Sequence, residues 1–183
     1  MPNEAVEITV DEDISFKVRL VDCVGYIVKG ALGYLEEDEP KMVNTPWYDY
    51  EIPFEDAAEI GTRKVITDHS TIGLVVTTDG SITGLERSEY LEAEERVIDE
   101  LKSIKKPFVV VLNTKNINSP ETETLKKQLE TKYDVTVQVM DVYNMTEKDI
   151  EKLFVHVLKE FPVKEINIDM PLSLIHISEP TRP

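Results

Sequence analysis

Phe108-Val109-Val110-Val111-Leu112-Asn113-Thr114-Lys115-Asn116 is the stretch on which the fold turns. Its first five residues are apolar without a break, as in a strand covered on both faces. The polar residues that follow end it abruptly. Such a strand needs helices above and below, and the flanking sequence supplies them. Upstream, residues 72–77 form a short, β-branched apolar run. Between the two lies a helical pattern in which Tyr90, Val97, Ile98, Leu101 and Ile104 share a face. Ser88 is predicted to cap this helix. Glutamates crowd its start and Lys102, Lys105 and Lys106 its end, which suits the helix dipole; Pro107 stops it. Downstream, Ser119-Pro120 starts a helix with proline at its favoured first position, and Leu125, Leu129 and Tyr133 point inward. A strand follows over residues 135–140. Thr146-Glu147-Lys148-Asp149 then resembles a capping box with Asp in the Glu place. Ile150, Leu153, Phe154, Val157, Leu158 and Phe161 make one apolar stripe of core. Alternating strands and helices predict an α/β fold with a mostly parallel sheet and flanking helices.

The N-terminal part has a different rhythm. Residues 6–10 alternate, Asp11-Glu12-Asp13 interrupts, and residues 15–21 alternate again with Phe16, Val18 and Leu20 on one face. This reads as a β-hairpin whose second strand runs into Asp22-Cys23-Val24-Gly25. Residues 26–67 carry only weak periodicity. They hold Gly30, Gly33, the acidic cluster Glu36-Glu37-Asp38-Glu39 and the aromatic stretch Trp47-Tyr48-Asp49-Tyr50. A loop this long inside a compact domain is usually a lid or switch. Its last part, residues 55–67, is predicted as a helix despite Gly61.

Composition bounds the function. The chain has 183 residues, 41% hydrophobic, with 36 Asp and Glu against 20 Lys and Arg and a net charge of -16. A surface this acidic repels phosphate backbones, which argues against nucleic acid as a partner. The single cysteine, Cys23, allows no internal disulfide. No apolar run reaches the roughly 18 residues of a spanning helix, and residues 1–10 lack the features of a secretory signal. A cytoplasmic protein is expected.

The chemistry-bearing motifs lie where strands end. Asp22-x-x-Gly25 follows the second hairpin strand. In P-loop NTPases an Asp in this position holds the Mg²⁺ shell, usually through water, and the Gly amide faces the γ-phosphate. Glycine also permits close approach and a switch motion. The layout, with a hairpin before this motif and three strand–helix units after it, resembles translation-factor-type GTPases. Those proteins read the base with Asn or Thr, Lys, any residue, Asp after the strand here represented by residues 108–112. In this chain the place reads Asn113-Thr114-Lys115-Asn116-Ile117. Lys115 can lay its methylene stem along a purine. In one register Ile117 replaces the guanine-reading Asp, in the other Asn116 does. Either way discrimination for guanine is weak, which is compatible with ATP. Cys23 is expected as a small buried hydrophobe, His69 as a solvated boundary residue and His156 at a helix surface. The cluster at residues 36–39 reads as a solvated loop without the spacing of a calcium site. The aromatics at residues 47–50 suit an interface and internal packing equally.

Longer strings carry a closer resemblance. Residues 16–26 (FKVRLVDCVGY), 47–54 (WYDYEIPF), 71–81 (TIGLVVTTDGS) and 110–116 (VVLNTKN) together resemble the stage IV sporulation protein A family of endospore-forming bacteria. The resemblance covers nearly everything to about Met170. It implies a GTPase-like P-loop fold that hydrolyses ATP with Mg²⁺ as it assembles into a static polymer. That polymer is the basement layer of the spore coat, on the mother-cell side of the forespore surface. Implied partners are further copies, other coat proteins and a small amphipathic membrane-anchoring peptide. By this resemblance Asp22 and Gly25 are catalytic, with Asp22 ordering Mg²⁺ through water, and Asn113, Thr114, Lys115 and Asn116 bind nucleotide. One departure is large: no G-x-x-x-x-G-K followed by Ser or Thr occurs in the sequence. In the family that loop and the first strand lie upstream, the missing strand falling between the strand ending at Asp22 and the one at Ile72. The chain taken alone is therefore expected to be inactive and marginally stable or aggregation-prone. Residues 1–162 are read as a partial nucleotide-binding domain and 163–172 as the start of a further one. Residues 173–183 (SLIHISEPTRP) read as translated sequencing-adapter sequence or a short disordered tail.

Overall fold

A computed structural model describes residues 4–161 except 12, 13, 29, 32, 34, 37 and 38. The segments read as the start of a further domain (163–172) and as a non-native tail (173–183) lie outside the described residues. Strands β1 (Val6–Asp11) and β2 (Ile14–Val18) form an antiparallel hairpin. The short pair β3 (Leu35–Glu36) and β4 (Glu39–Pro40) follows, then a second hairpin of β5 (Met42–Thr45) and β6 (Tyr48–Pro53). Helix α1 (Phe54–Lys64) continues into a π turn at Val65–His69. The rest alternates: β7 (Gly73–Thr78), α2 (Arg87–Ser103), β8 (Phe108–Asn113), α3 (Pro120–Tyr133), β9 (Val137–Met140) and α4 (Glu147–Lys159).

The parallel sheet has the order β7-β8-β9. Val109, Val110, Val111 and Leu112 of β8 are all but fully buried, because helices cover both sides of this strand. On one face Val75, Val110, Leu112 and Val137 pack under Ile98 and Leu101 of α2 and Leu129 and Tyr133 of α3. On the other, Val109, Val111 and Met140 meet Leu153, Phe154 and Val157 of α4. The first hairpin closes this second core with Ile8, Phe16 and Val18, and the Phe16 ring meets Phe154 edge-on at 5.8 Å. Alternation thus brought Phe16 and Val18 inward, but Leu20 is 63% exposed.

That difference comes from where β2 stops. The strand ends at Val18, and residues 19–25 take no regular structure. Among the described residues the hairpin pairs only with itself, and β7 has a strand neighbour on one edge only. Leu74 and Val76, in register with the buried Val109 and Val111, are 43% and 58% exposed.

Residues 26–67 are not a long loop. The aromatic stretch lies in and beside the turn of β5–β6, with Tyr48 and Tyr50 rings 5.3 Å apart. Trp47, Tyr48 and Tyr50 are exposed, and the Trp47 ring leans against Gly61 of α1, where an added Cβ would sit 3.2 Å from it. Helix α1 is where the periodicity put it. Its buried Ala58 and Thr62 face inward.

The capping expectations split. Ser119 accepts from the Thr122 amide at 3.1 Å with Pro120 in the first turn of α3, and Thr146 and Asp149 close a capping box on α4. Ser88 does not cap α2, however. Its N-cap is Glu86, without a side-chain cap. The helix starts two residues earlier, at Arg87, whose side chain turns inward to pair with Glu94.

Candidate functional site

In an open parallel sheet, ligands bind beyond the carboxyl ends of the strands. Here that edge is built from the tips of β7 and β8. The chain leaves β8 through Asn113, whose Oδ1 accepts from the Val142 amide at 3.0 Å and so ties this tip to the segment after β9. Thr114 is wholly buried. Its amide extends the ladder to Met140 O at 3.0 Å. Its hydroxyl donates to Asp79 Oδ2 at 2.6 Å and accepts from the Asn116 amide at 3.0 Å. From the β7 tip, Asp79 Oδ1 accepts from the Ser81 amide at 2.9 Å and from its hydroxyl at 2.6 Å. Ser81 Oγ in turn accepts from the Lys115 amide at 3.2 Å. Burial pushes the Asp79 carboxyl up, but the hydrogen bonds from Ser81 and Thr114 outweigh it and hold the group below its ordinary 3.8. On the far side the Asn116 carbonyl accepts from Thr122 Oγ1 at 2.9 Å and the Ser119 amide at 3.0 Å. The backbone of residues 113–116 is therefore fastened to β7, β9 and α3, while the Lys115 and Asn116 side chains stay exposed. Close to Lys115, the Asp141 carboxyl is held below its usual value by Asn144, with help from the Lys115 charge.

The other motif lies apart. Asp22 is exposed, and among the described residues it makes no hydrogen bond or ion pair. Gly25 has φ +81°, a left-handed backbone that favours glycine. Its amide donates to Thr62 Oγ1 at 3.0 Å, and Thr62 is buried in α1. No hydrogen bond joins Asp22 or Gly25 to residues 113–116 among the described residues. Cys23 is exposed rather than buried: it sits in the irregular run past the end of β2, where no core covers it.

Set against known families, residues 1–162 match the model described as "Stage IV sporulation protein A, ATPase domain". The chain belongs to the stage IV sporulation protein A family. It is 50% identical over 179 residues to "Stage IV sporulation protein A" of Bacillus subtilis (strain 168), covering 98% of this chain and 36% of that protein. The protein of the same name from Clostridioides difficile (strain 630) is 56% identical over 171 residues, covering 93% of this chain and 35% of the relative. The chain thus spans about a third of the length of these relatives. No solved structure matches it. Membership makes this a sporulation protein with an ATPase domain, and a parallel three-stranded sheet flanked by helices is consistent with a P-loop NTPase-like domain.

A family ATPase domain calls for nucleotide and a metal ion, and the residues present allow a limited fit. Among the described residues no group of three or more His, Cys, Asp or Glu is disposed to hold a metal. A lone exposed carboxylate such as Asp22 suits a different task, accepting hydrogen bonds from the water shell of a cation carried by the nucleotide. No helix among the described residues is long and apolar enough to cross a membrane.

Three residues of this family member escaped the motif reading: Asp79, Ser81 and Thr62. Asp79-Gly80 was visible as a turn signal, with Gly80 at φ +92° and an added Cβ only 2.8 Å from Leu85 O. Nothing local to it told that its carboxylate reaches a threonine 35 residues on.

Proposed function

We propose that this chain is the nucleotide-handling segment of an ATPase that uses ATP hydrolysis to assemble a static polymer, the basement layer of the bacterial spore coat. The observation that carries this reading is the loop at the β8 tip, a backbone fastened on three sides that leaves Lys115, Asn116 and Ile117 exposed to solvent. Such a loop can hold a base without reorganising. Lys115 lays its stem along the purine. With neither Asn116 nor Ile117 offering a carboxylate, guanine gains no advantage and ATP is accepted. Mg²⁺ brought by the nucleotide neutralises charge on the phosphates. Asp22 would order the water around that cation. The Gly25 amide meets the γ-phosphate once it leaves Thr62, and residues 26–67 carry the change of nucleotide state to an assembly surface.

The phosphate loop has to come from outside these residues. Among the described residues β7 has one strand neighbour, and with the uncovered Leu74 and Val76 this supports a place there for a further strand and helix. The chain taken alone is inactive on this reading. In the cell the complete protein lies on the mother-cell side of the forespore surface. There it contacts further copies, other coat proteins and a small amphipathic membrane-anchoring peptide, the last through regions outside this chain; nucleic acid is no partner. A second reading, a structural assembly module that keeps the fold without catalysis, draws on the missing G-x-x-x-x-G-K string.

Two steps separate them. Sequencing the DNA on both sides of the reading frame tests for an in-frame phosphate loop upstream. The complete protein is then assayed for ATP turnover and for sedimentable polymer, with and without Asp22→Ala. The ATPase reading expects turnover that drops about 100-fold in the variant. A true start at Met1 with no such loop, or a complete protein without turnover, leaves the scaffold.

A further inference from the structure

Asp79 belongs to no nucleotide-binding motif, yet each of its carboxylate oxygens ends a short chain of hydrogen bonds that begins at a backbone amide of the base loop. One chain runs from the Asn116 amide to Thr114 Oγ1 at 3.0 Å and on to Asp79 Oδ2 at 2.6 Å. The other runs from the Lys115 amide to Ser81 Oγ at 3.2 Å and on to Asp79 Oδ1 at 2.6 Å. A hydroxyl has one proton and two lone pairs. Left to itself it can rotate and serve as donor or acceptor. Here the carboxylate captures the single proton of each hydroxyl, at the short distances of charge-assisted bonds. Both hydroxyls are thereby committed as acceptors towards Lys115 and Asn116. The charge just past the end of β7 thus dictates the orientation of two peptide groups just past the end of β8.

We propose that Asp79, acting through Thr114 and Ser81, is a positioning residue for nucleotide binding: it holds the backbone of residues 114–116 in the one arrangement that presents Lys115 and Asn116 to the base. The proposal rests on the reading of this loop as the base site. It adds a determinant of affinity in the turn after a different strand, with no contact to the nucleotide. Preorganisation of this kind lowers the ordering that binding demands, so its loss is felt in affinity and leaves the chemical step, far from the base, unchanged.

The test uses the full-length protein carrying this segment and reads KM and kcat for ATP. Thr114→Val keeps the shape of the side chain and removes both roles of the hydroxyl. Asp79→Asn keeps the shape of the carboxylate and turns one acceptor into a donor. Each is expected to raise KM about five- to tenfold with kcat within about twofold, while Thr114→Ser, which restores the hydroxyl, brings KM back to within about twofold of the parent. Unchanged KM in both variants, or a fall in kcat alone, overturns the proposal. Lys115→Ala separates the two levels. A raised KM there beside unchanged latch variants sinks the latch alone; an unchanged KM there as well sinks the base-site reading and the latch with it. If Thr114→Val and Asp79→Asn lose cooperative unfolding, Ser81→Ala decides, since it cuts only the branch to Lys115. A KM raised about two- to threefold supports the latch, and an unchanged one overturns it.

Discussion

The amide of Gly25 donates to the hydroxyl of Thr62, 37 residues further on, at 3.0 Å. The glycine assigned to the γ-phosphate thus has its donor engaged by α1. Thr62→Val preserves the shape of a side chain that is 1% exposed while removing the acceptor. For a half-buried amide that water can reach, losing this bond costs about 0.5–1.5 kcal/mol. Hydrogen exchange by mass spectrometry on the full-length protein is expected to show about two- to tenfold faster exchange in the peptide holding Gly25. Unaltered exchange would mean that the bond does not restrain this segment.

How much of this was legible beforehand follows from what each feature depends on. The β8 run was readable because burial on both faces demands continuous apolar residues, and α3 and α4 because Ser119 and Thr146 act within their own first turns. The end of β2 lies earlier than the pattern suggests. Alternation persists to Val21 in the sequence, but the strand stops at Val18 where pairing with β1 ends. β5–β6 was missed although Tyr48-Asp49-Tyr50-Glu51-Ile52 alternates, since its aromatic face is exposed and resembles no core pattern. The Asp79 latch and Arg87–Glu94 pair depend on tertiary neighbours, to which no local pattern points.

Glu94 is the most enclosed charge in the domain's polar cluster. Its side chain is 2% exposed and meets Arg87 at 2.6 Å, Thr77 at 2.6 Å and Tyr133 at 2.9 Å. Removing one partner of a buried ion pair leaves the other uncompensated, at about 3–5 kcal/mol, whereas replacing both by apolar groups is often near neutral. Calorimetry is therefore expected to show a large loss for Glu94→Ala and a much smaller one for the double replacement by Met of Arg87 and Glu94. A loss below about 1 kcal/mol for Glu94→Ala would show that solvent reaches the pair.

The same cluster sets an alkaline limit. Burial, reinforced by the charge of Glu94, pushes the Tyr133 phenol up from 10.0 to about 12. The folded value is raised above the unfolded one, so this group's contribution is complete below pH 10 and disappears as the pH climbs from about 10 to about 12. In a phenolate absorbance titration, Tyr133 is expected to ionise only towards about pH 12, a late component that Tyr133→Phe removes. Glu94→Gln, by deleting the charge, brings it forward. A titration in which no tyrosine lags would contradict the buried contact.

Nucleotide choice gives a test of register. If Asn113 opens the base-reading string, an aspartate is missing at position 116; if Thr114 does, at position 117. Asn116→Asp and Ile117→Asp are each compared with the parent, in the full-length protein, by the ratio of kcat/KM for GTP over ATP. A carboxylate facing the guanine donors is expected to raise that ratio at least about tenfold in one variant only. The variant that responds identifies the register. If neither does, residues 113–117 do not face the base.

The uncovered strip on β7 makes opposite predictions in two settings. Leu74 and Val76 lie in register beside Val109 and Val111, which α4 buries, yet they remain 43% and 58% exposed. The strand edge next to them has no neighbour among the described residues. An apolar strip beside an open edge invites pairing between chains, so residues 1–162 produced alone are expected to self-associate in light scattering. Val76→Lys places a charge on that strip and is expected to keep the isolated segment monomeric. In the full-length protein, where the proposed upstream strand and helix cover the same strip, the lysine is buried and the substitution destabilises by about 2 kcal/mol or more. A charge that helps in one context and harms in the other is the signature of a surface exposed in the segment and buried in the whole. Were Val76→Lys harmless in the full-length protein, nothing would cover β7 there, and the placement of the phosphate-loop strand beside it would be wrong.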